Sequence, residues 1–325
     1  MRRRSFVAAG TALFAAPVIV RAQSVYPTGP VRLVVAFPPG GPTDVYARLF
    51  GERLGRALGQ PVVIDNKAGA AGIIGSLSVA RAKADGYTLV FGTGSTHALY
   101  ASMVVKPEYD ILKDFTLIAH LGGGPAAFVG GLAQPDSLQG LLEVARAKPG
   151  ALSYGSPGSG TLLHLTTERL KTAAGNVQIT HVPYRGSGPA VTDLLAGQVA
   201  MIATTLGSAL PLHTSGKARL LAVATASRTK LAPSVPTVGE ILGGPPFEAV
   251  LWHLLAGPAG LEPDVVARLA KASQEAMSDA ALLKALDEQG IVPVTDSTPA
   301  STQAFVRGEI ERWAPIVKAA DVKLE

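Results

Sequence analysis

The sequence predicts an α/β protein of two lobes, one inserted in the other, each a mixed sheet flanked by helices, with a cleft between them. Three observations carry this. Short β-branched runs alternate with amphipathic segments, the alternation restarts in mid-chain, and both stretches place a glycine-rich turn between a strand and a helix. At 325 residues and 47% apolar content the chain is long enough for two cores.

Val31 to Phe37 is short, β-branched and bounded by Pro and Gly, which suits a strand buried on both faces. Pro38-Pro39-Gly40-Gly41 turns the chain. Val45, Leu49, Phe50, Leu54, Ala57 and Leu58 then follow a helical period, with Pro42 at the helix start and Gly59 as its stop. Pro61 to Asn66 and Tyr87 to Gly92 read as strands around a helix over Gly72 to Ala82. The pattern begins again with a helix over Leu138 to Ala147 and a strand over Leu152 to Tyr154. A second glycine turn, Gly155 to Gly160, feeds a helix over Thr161 to Ala174. Strands over Gln178 to Val182, Val199 to Ala203 and Arg219 to Ala224, and a helix over Pro189 to Ala196, complete this half. An extended run, Glu248 to Ala256, precedes helices over Pro263 to Met277, Ala280 to Gln289 and Pro299 to Ala319. The expected division is residues 23–124 with 229–325 for the first lobe and 125–228 for the second.

Charge is concentrated at the N-terminus. Arg2, Arg3, Arg4 and Arg21 are four of the 29 basic residues, and the first 22 positions hold no acid. Phe6 to Val20 is apolar but too short for a comfortable membrane span of about 20 residues. Residues 1–22 therefore read as an export signal cut after Ala22, and Arg3-Arg4-Ser5-Phe6-Val7 also fits a twin-arginine pattern. What remains has 25 basic against 24 acidic residues, so no nucleic-acid partner is expected. The expected compartment is the periplasm, and the expected state a monomer.

The chemistry is bounded by absences in the sequence itself. Zero cysteines exclude disulfides, thiolate nucleophiles and Cys-ligated metals. No phosphate-binding G-x-x-x-x-G-K-[ST] or serine-elbow G-x-S-x-G occurs, and Gly92-Thr93-Gly94 has His97 where a third dinucleotide glycine belongs. No histidine pair has helical zinc spacing. Neither metal, cofactor nor catalytic residues are expected.

The glycine turns are the sharpest local features. Backbone N–H groups in a helix's first turn lack partners and sit at the positive end of its dipole, so such a junction accepts a carboxylate without any lysine or arginine. In the first turn Phe37, Pro38, Gly40, Gly41 and Thr43 are the candidate ligand-binding residues. Asp44 joins them, although its place in the first helical turn also suits the dipole. In the second turn the candidates are Ser156, Gly158, Ser159, Gly160 and Thr161. Thr93, Ser95 and His97, and likewise His164, sit on or just past such turns. Tyr184-Arg185 opens a third polar turn, with Arg185 either a ligand contact or half of a salt bridge.

Over nearly all of the mature chain these motifs resemble one family. Phe37-Pro38-Pro39-Gly40-Gly41, Thr43-Asp44, Leu58-Gly59-Gln60-Pro61-Val62-Val63, Asp85-Gly86-Tyr87-Thr88-Leu89 and His181 to Ala190 look like the Bug family, the extracytoplasmic receptors of tripartite tricarboxylate transporters. Val235-Pro236-Thr237-Val238 and Glu309 to Trp313 extend the match. The resemblance implies a two-lobed periplasmic binding protein that closes on a small di-, tri- or aromatic carboxylate and delivers it to a large and a small membrane subunit. Where relatives often carry Phe-Asp-Asn this chain has Ala203-Thr204-Thr205, and where they carry Asn-Pro it has Tyr100-Ala101. Thr204 and Thr205 are thus expected in a roomier, less acidic distal pocket that disfavours an amine-bearing ligand. The competing readings are a ligand sensor without a transporter, an exported serine hydrolase using a glycine-turn serine, and the effector half of a transcription regulator. The last needs a helix-turn-helix where this chain has an export signal.

Overall fold

The computed structural model describes residues 26–324. The export-signal and twin-arginine expectations lie outside these residues. Among the described residues no helix is long and apolar enough to cross a membrane.

The first lobe opens with β1 (Val31–Val35), α1 (Pro42–Leu58), β2 (Val62–Asn66), α2 (Ile73–Ala80) and β3 (Thr88–Thr93). A π-type turn over Ser95–Leu99 runs into the short α3 (Tyr100–Met103). Then comes the 16-residue β4 (Phe115–Gly130). The second lobe follows with α4 (Leu138–Ala147), β5 (Ser153–Ser156), α5 (Leu162–Ala173), β6 (Thr180–Pro183) and α6 (Ser187–Leu195). It continues through β7 (Met201–Thr205), α7 (Leu206–Thr214), β8 (Arg219–Val223) and α8 (Val238–Leu242). β9 (Val250–Pro258) returns to the first lobe, and α9 (Pro263–Met277), α10 (Ala280–Glu288) and α11 (Pro299–Ala320) close the chain.

All nine strands belong to one curled sheet in the order β2-β1-β3-β9-β4-β7-β5-β6, with β8 also on β4. β1 pairs parallel with β2 and β3, and β5 parallel with β6 and β7. These two parallel triads are the halves that the repeated pattern anticipates. β4 and β9 join them. Phe115 to Pro125 of β4 pair antiparallel with β9, Ala126 to Gly130 with β7 and Ala127 to Gly130 with β8.

Both faces of each half are covered, which is why the central strand β1 is apolar at four of its five positions, with Arg32 the exception. In the first lobe Leu33 packs with Tyr46, Phe50 and Leu269 under α1 and α9, while its neighbour Val34 faces α2 and α11 on the other side. In the second, Phe128 and Tyr154 meet α4 and α5, whereas Val129 and Ile202 meet α6 and α7.

Ala232, Val235, Val238, Phe247 and Ala249 are buried in the second lobe's cores. We therefore place the return to the first lobe at Val250 instead of residue 229, because the segment between buries its apolar side chains against β4, β7 and β8. β4 itself was not anticipated. Gly122-Gly123-Gly124-Pro125 reads as a breaker cluster, yet the strand runs through it, after two register shifts between Leu117 and Gly122 and with a φ of +82° at Gly122.

Candidate functional site

Three helices begin at the mouth between the lobes, each following a parallel strand: α1 after β1, α5 after β5 and α6 after β6. This is the carboxyl edge of the sheet, where open α/β folds leave a crevice. Pro42 opens α1 after Gly41, Thr161 caps α5 by accepting from the His164 N–H, and Gly186, with φ of +106°, turns the chain into α6. The N–H groups of Thr43, Leu163, Ser187 and Gly188 find no acceptor among the described residues.

These ends enclose a cavity of about 60 Å³. The first lobe supplies Phe37, Pro38, Pro39, Gly41, Pro42, Thr43 and Ser95, and the second Pro157, Thr161, Leu162, Leu163 and Gly186 to Pro189. Leu251 of β9 lies at the junction. Not one of these residues is Asp, Glu, Lys, Arg or His. The electrostatics of the cavity therefore come from three converging helix dipoles and their unpaired amides.

The lobes touch around it. Leu162 N donates to Ser95 Oγ at 3.0 Å, and a Cβ at Gly186 would lie 2.8 Å from Pro38 Cγ, a contact only glycine permits. Asp44 holds the first loop from behind: its carboxylate accepts from Gly40 N–H at 2.9 Å, from Arg48 and from Asn66. Burial alone would raise the Asp44 pKa, but these hydrogen bonds outweigh it and the net shift is downward. Asp44 thus braces the loop and does not line the cavity.

Of the expected site residues, Phe37, Pro38, Gly41, Thr43, Ser95 and Thr161 line the cavity, and Gly40 shapes its loop. Gly158, with φ of +141°, and Gly160, with φ of +77°, shape the second turn without lining the cavity, and neither does the half-buried Ser159. Ser156 is fully buried, its hydroxyl taken by His181 Nε2 at 2.7 Å and by Gly158 N–H. A nucleophile there has no access to the cleft.

Other expected residues lie away from the cavity wall. His97 is a core residue: it packs edge-on to Phe115, bonds Thr96 Oγ1 at 2.8 Å, and burial lowers its pKa to about 3. His164 accepts from Gly160 N–H through Nδ1 and stacks on His181 inside the second lobe. Burial and then the His181 charge lower its pKa to about 3. Tyr184 turns away to donate to Asp193 at 2.7 Å. Arg185 is exposed, outside the cavity wall and without an ion pair among the described residues.

Thr93 and Thr204 are enclosed with unpartnered hydroxyls, away from the cavity wall. Thr205 lines only a side cavity of about 10 Å³, next to Pro42 and Leu251. Tyr100 is buried against Tyr109, and Ala101 faces the outer surface. The distal-pocket expectation therefore keeps Thr205 alone, because Tyr100 points into the first lobe's core.

Sequence reasoning read the turn before α6 as a third polar turn of the same kind but singled out Tyr184 and Arg185 in it; it missed Leu251 and set His253 among ordinary packing residues. His253 stacks on Phe91 beneath the cleft with Nε2 3.3 Å from Thr43 Oγ1. A lone polar residue inside an otherwise apolar strand was the available signal.

Across β4 and β9 lies a wider groove of about 580 Å³, lined by Val250, Trp252, the loop of residues 224–231 and α11. Its floor is held by Glu309, which accepts from Trp252 Nε1 at 2.7 Å, Trp313 Nε1 at 3.2 Å and both donor arms of Arg312.

A two-lobed α/β body with helix ends converging on an interlobe cavity is the architecture of a solute-binding protein. Comparison makes the assignment particular. The model for the tripartite tricarboxylate transporter family receptor, TctC, matches residues 46–322. Protein BugT of Bordetella pertussis is 38% identical over 317 residues, covering 97% of this chain and 95% of that one. Among solved structures, periplasmic binding protein BugD has a TM-score of 0.87 at 32% identity, covering 92% of this chain and all of its own. An R. palustris protein with adipate has a TM-score of 0.85 at 36% identity, with 92% and 99% covered. MatC from Rhodopseudomonas palustris with bound malate has a TM-score of 0.84 at 30% identity, with 90% and 100% covered. The chain belongs to the TctC family of periplasmic solute-binding receptors.

Proposed function

We propose that this receptor captures a small dicarboxylate without an ammonium group, closes its lobes over it, and presents it to the membrane subunits of a tripartite tricarboxylate-type transporter. The observation that carries the reading is the cavity wall: three helix N-termini and no charged side chain. Such a wall favours an anion through oriented amides. An amine-bearing ligand would bury its cation without a carboxylate partner, at a cost of several kcal/mol. The adipate and malate in two similar structures support the same class. The Ser95–Leu162 and Pro38–Gly186 contacts support closure, since both join opposite lobes. Delivery to a transporter follows the family, and export follows the basic and apolar N-terminus.

Thermal shift with adipate, malate, succinate, benzoate, aspartate and adipamide tests this reading. A ligand bound only by the folded state raises the midpoint by mass action. Dicarboxylates should stabilise, while aspartate and the uncharged diamide should not. Stabilisation by aspartate, or no response to any acid, would overturn the reading.

A further inference from the structure

His253 is the one imidazole that touches a residue of the cavity wall, and its two ring nitrogens differ. Nε2 lies 3.3 Å from Thr43 Oγ1, whereas Nδ1 is buried with no partner. The ring is packed between Phe91, stacked at 5.0 Å, and Tyr46, edge-on at 5.1 Å. Which nitrogen carries the proton decides what Thr43 shows to the cleft. If Nε2 were bare, the single Thr43 proton would go to the ring and only oxygen lone pairs would face the cavity, against the sense of the surrounding amides. If Nε2 carries the proton, Thr43 Oγ1 accepts from the ring and its own O–H is free to donate inward.

The unpartnered nitrogen gives an independent argument. On the backbone, orphaned buried N–H groups are rarer than under-satisfied acceptors; carried over to the ring, that rule makes the partnerless Nδ1 the bare one. Burial keeps the ring neutral near pH 7.

We propose that His253 is a positioning residue for ligand capture: Nε2 holds the ring proton, donates it to Thr43 Oγ1, and fixes the Thr43 hydroxyl as a donor into the cleft. The proposal rests on the dicarboxylate reading above and goes beyond it by assigning a tautomer and a residue outside the cavity wall.

Two measurements test it. Nitrogen-15 spectra of the unliganded protein should show His253 protonated on Nε2, and protonation on Nδ1 would overturn the assignment whether or not any acid binds. Titration calorimetry with adipate should show His253→Phe, which keeps the aromatic packing, weakening binding about 5- to 10-fold, the scale of one neutral hydrogen bond. Thr43→Val should weaken binding similarly, and the double variant should lose no more than either alone. His253→Gln, which restores an N–H donor, should recover part of the loss. A His253→Phe effect that persists in full in the Thr43→Val background would mean ordinary packing and sink the proposal. Failure of the wild type to bind any carboxylate would refute the proposed function instead, with the tautomer still decided by the spectra.

Discussion

A single carboxylate placed in the cleft should separate stability from binding. Ser187 sits in the first turn of α6 and lines the cavity. In Ser187→Asp the new charge lies at the positive end of the helix, worth about 0.3–1 kcal/mol in favour of the folded state. An acid group inside a cavity of about 60 Å³ would lie on the order of 5–6 Å from that side chain. At an effective dielectric of about 20, two like charges at this range repel by about 3 kcal/mol, roughly a hundredfold in Kd. The neutral variant Ser187→Asn, of nearly the same size, should stay within about threefold of wild type because it adds no charge. Calorimetry with adipate and thermal unfolding without ligand check both halves. Equal losses for Asp and Asn, or an Asp variant that binds normally and unfolds earlier, would refute the claim that backbone amides make this cleft an anion site.

Three further outcomes follow from the packing. Glu309→Ala removes a buried carboxylate that satisfies two indole N–H groups and Arg312, and should cost about 2–4 kcal/mol in urea unfolding. Gly122→Ala should cost about 2–4 kcal/mol, since φ there is +82° and a Cβ would meet the Val292 carbonyl oxygen at 2.0 Å. Acid should destabilise the protein progressively below about pH 6.5. His97, His164 and His253 have folded pKa values lowered to about 3, with burial the first cause in each. The unfolded chain takes up protons there first, so stability is intact above the unfolded pKa and falls as pH drops towards the folded one. In pH-dependent calorimetry His97→Phe should flatten this decline.

Much of the fold was legible because local signals and tertiary structure agree. The bounds of α4 and α9 coincide with those read from periodicity and from Pro263, and the glycine turns stand at the expected strand-to-helix junctions. β4 was hidden because its three consecutive glycines and a proline are local breakers, whereas the strand is held through them by β9 pairing that no neighbouring residue encodes. The α5 turn was read through its hydroxyls, yet Ser156 is spent on His181 and only Thr161 reaches the cavity. At the third turn the charged Arg185 drew attention, while the cavity is lined by the plain residues after it. His253 could not be placed from local pattern, because its partner Thr43 lies 210 positions away.

At the junction between the lobes β9 alternates its residues between two spaces. Leu251 faces the small cavity, while Val250 and Trp252 face the wide groove, and β4 pins this through Gly124 opposite Leu251 and Gly123 opposite Trp252. Sliding β9 by one residue would exchange the two sides and drive an indole into a space of about 60 Å³. The register is anchored just upstream, where Phe247 and Ala249 are buried and Ala249 is tied by backbone hydrogen bonds to Ala224 and Ala126. An inserted residue between Phe247 and Val250 would have to break those anchors before it could move the indole.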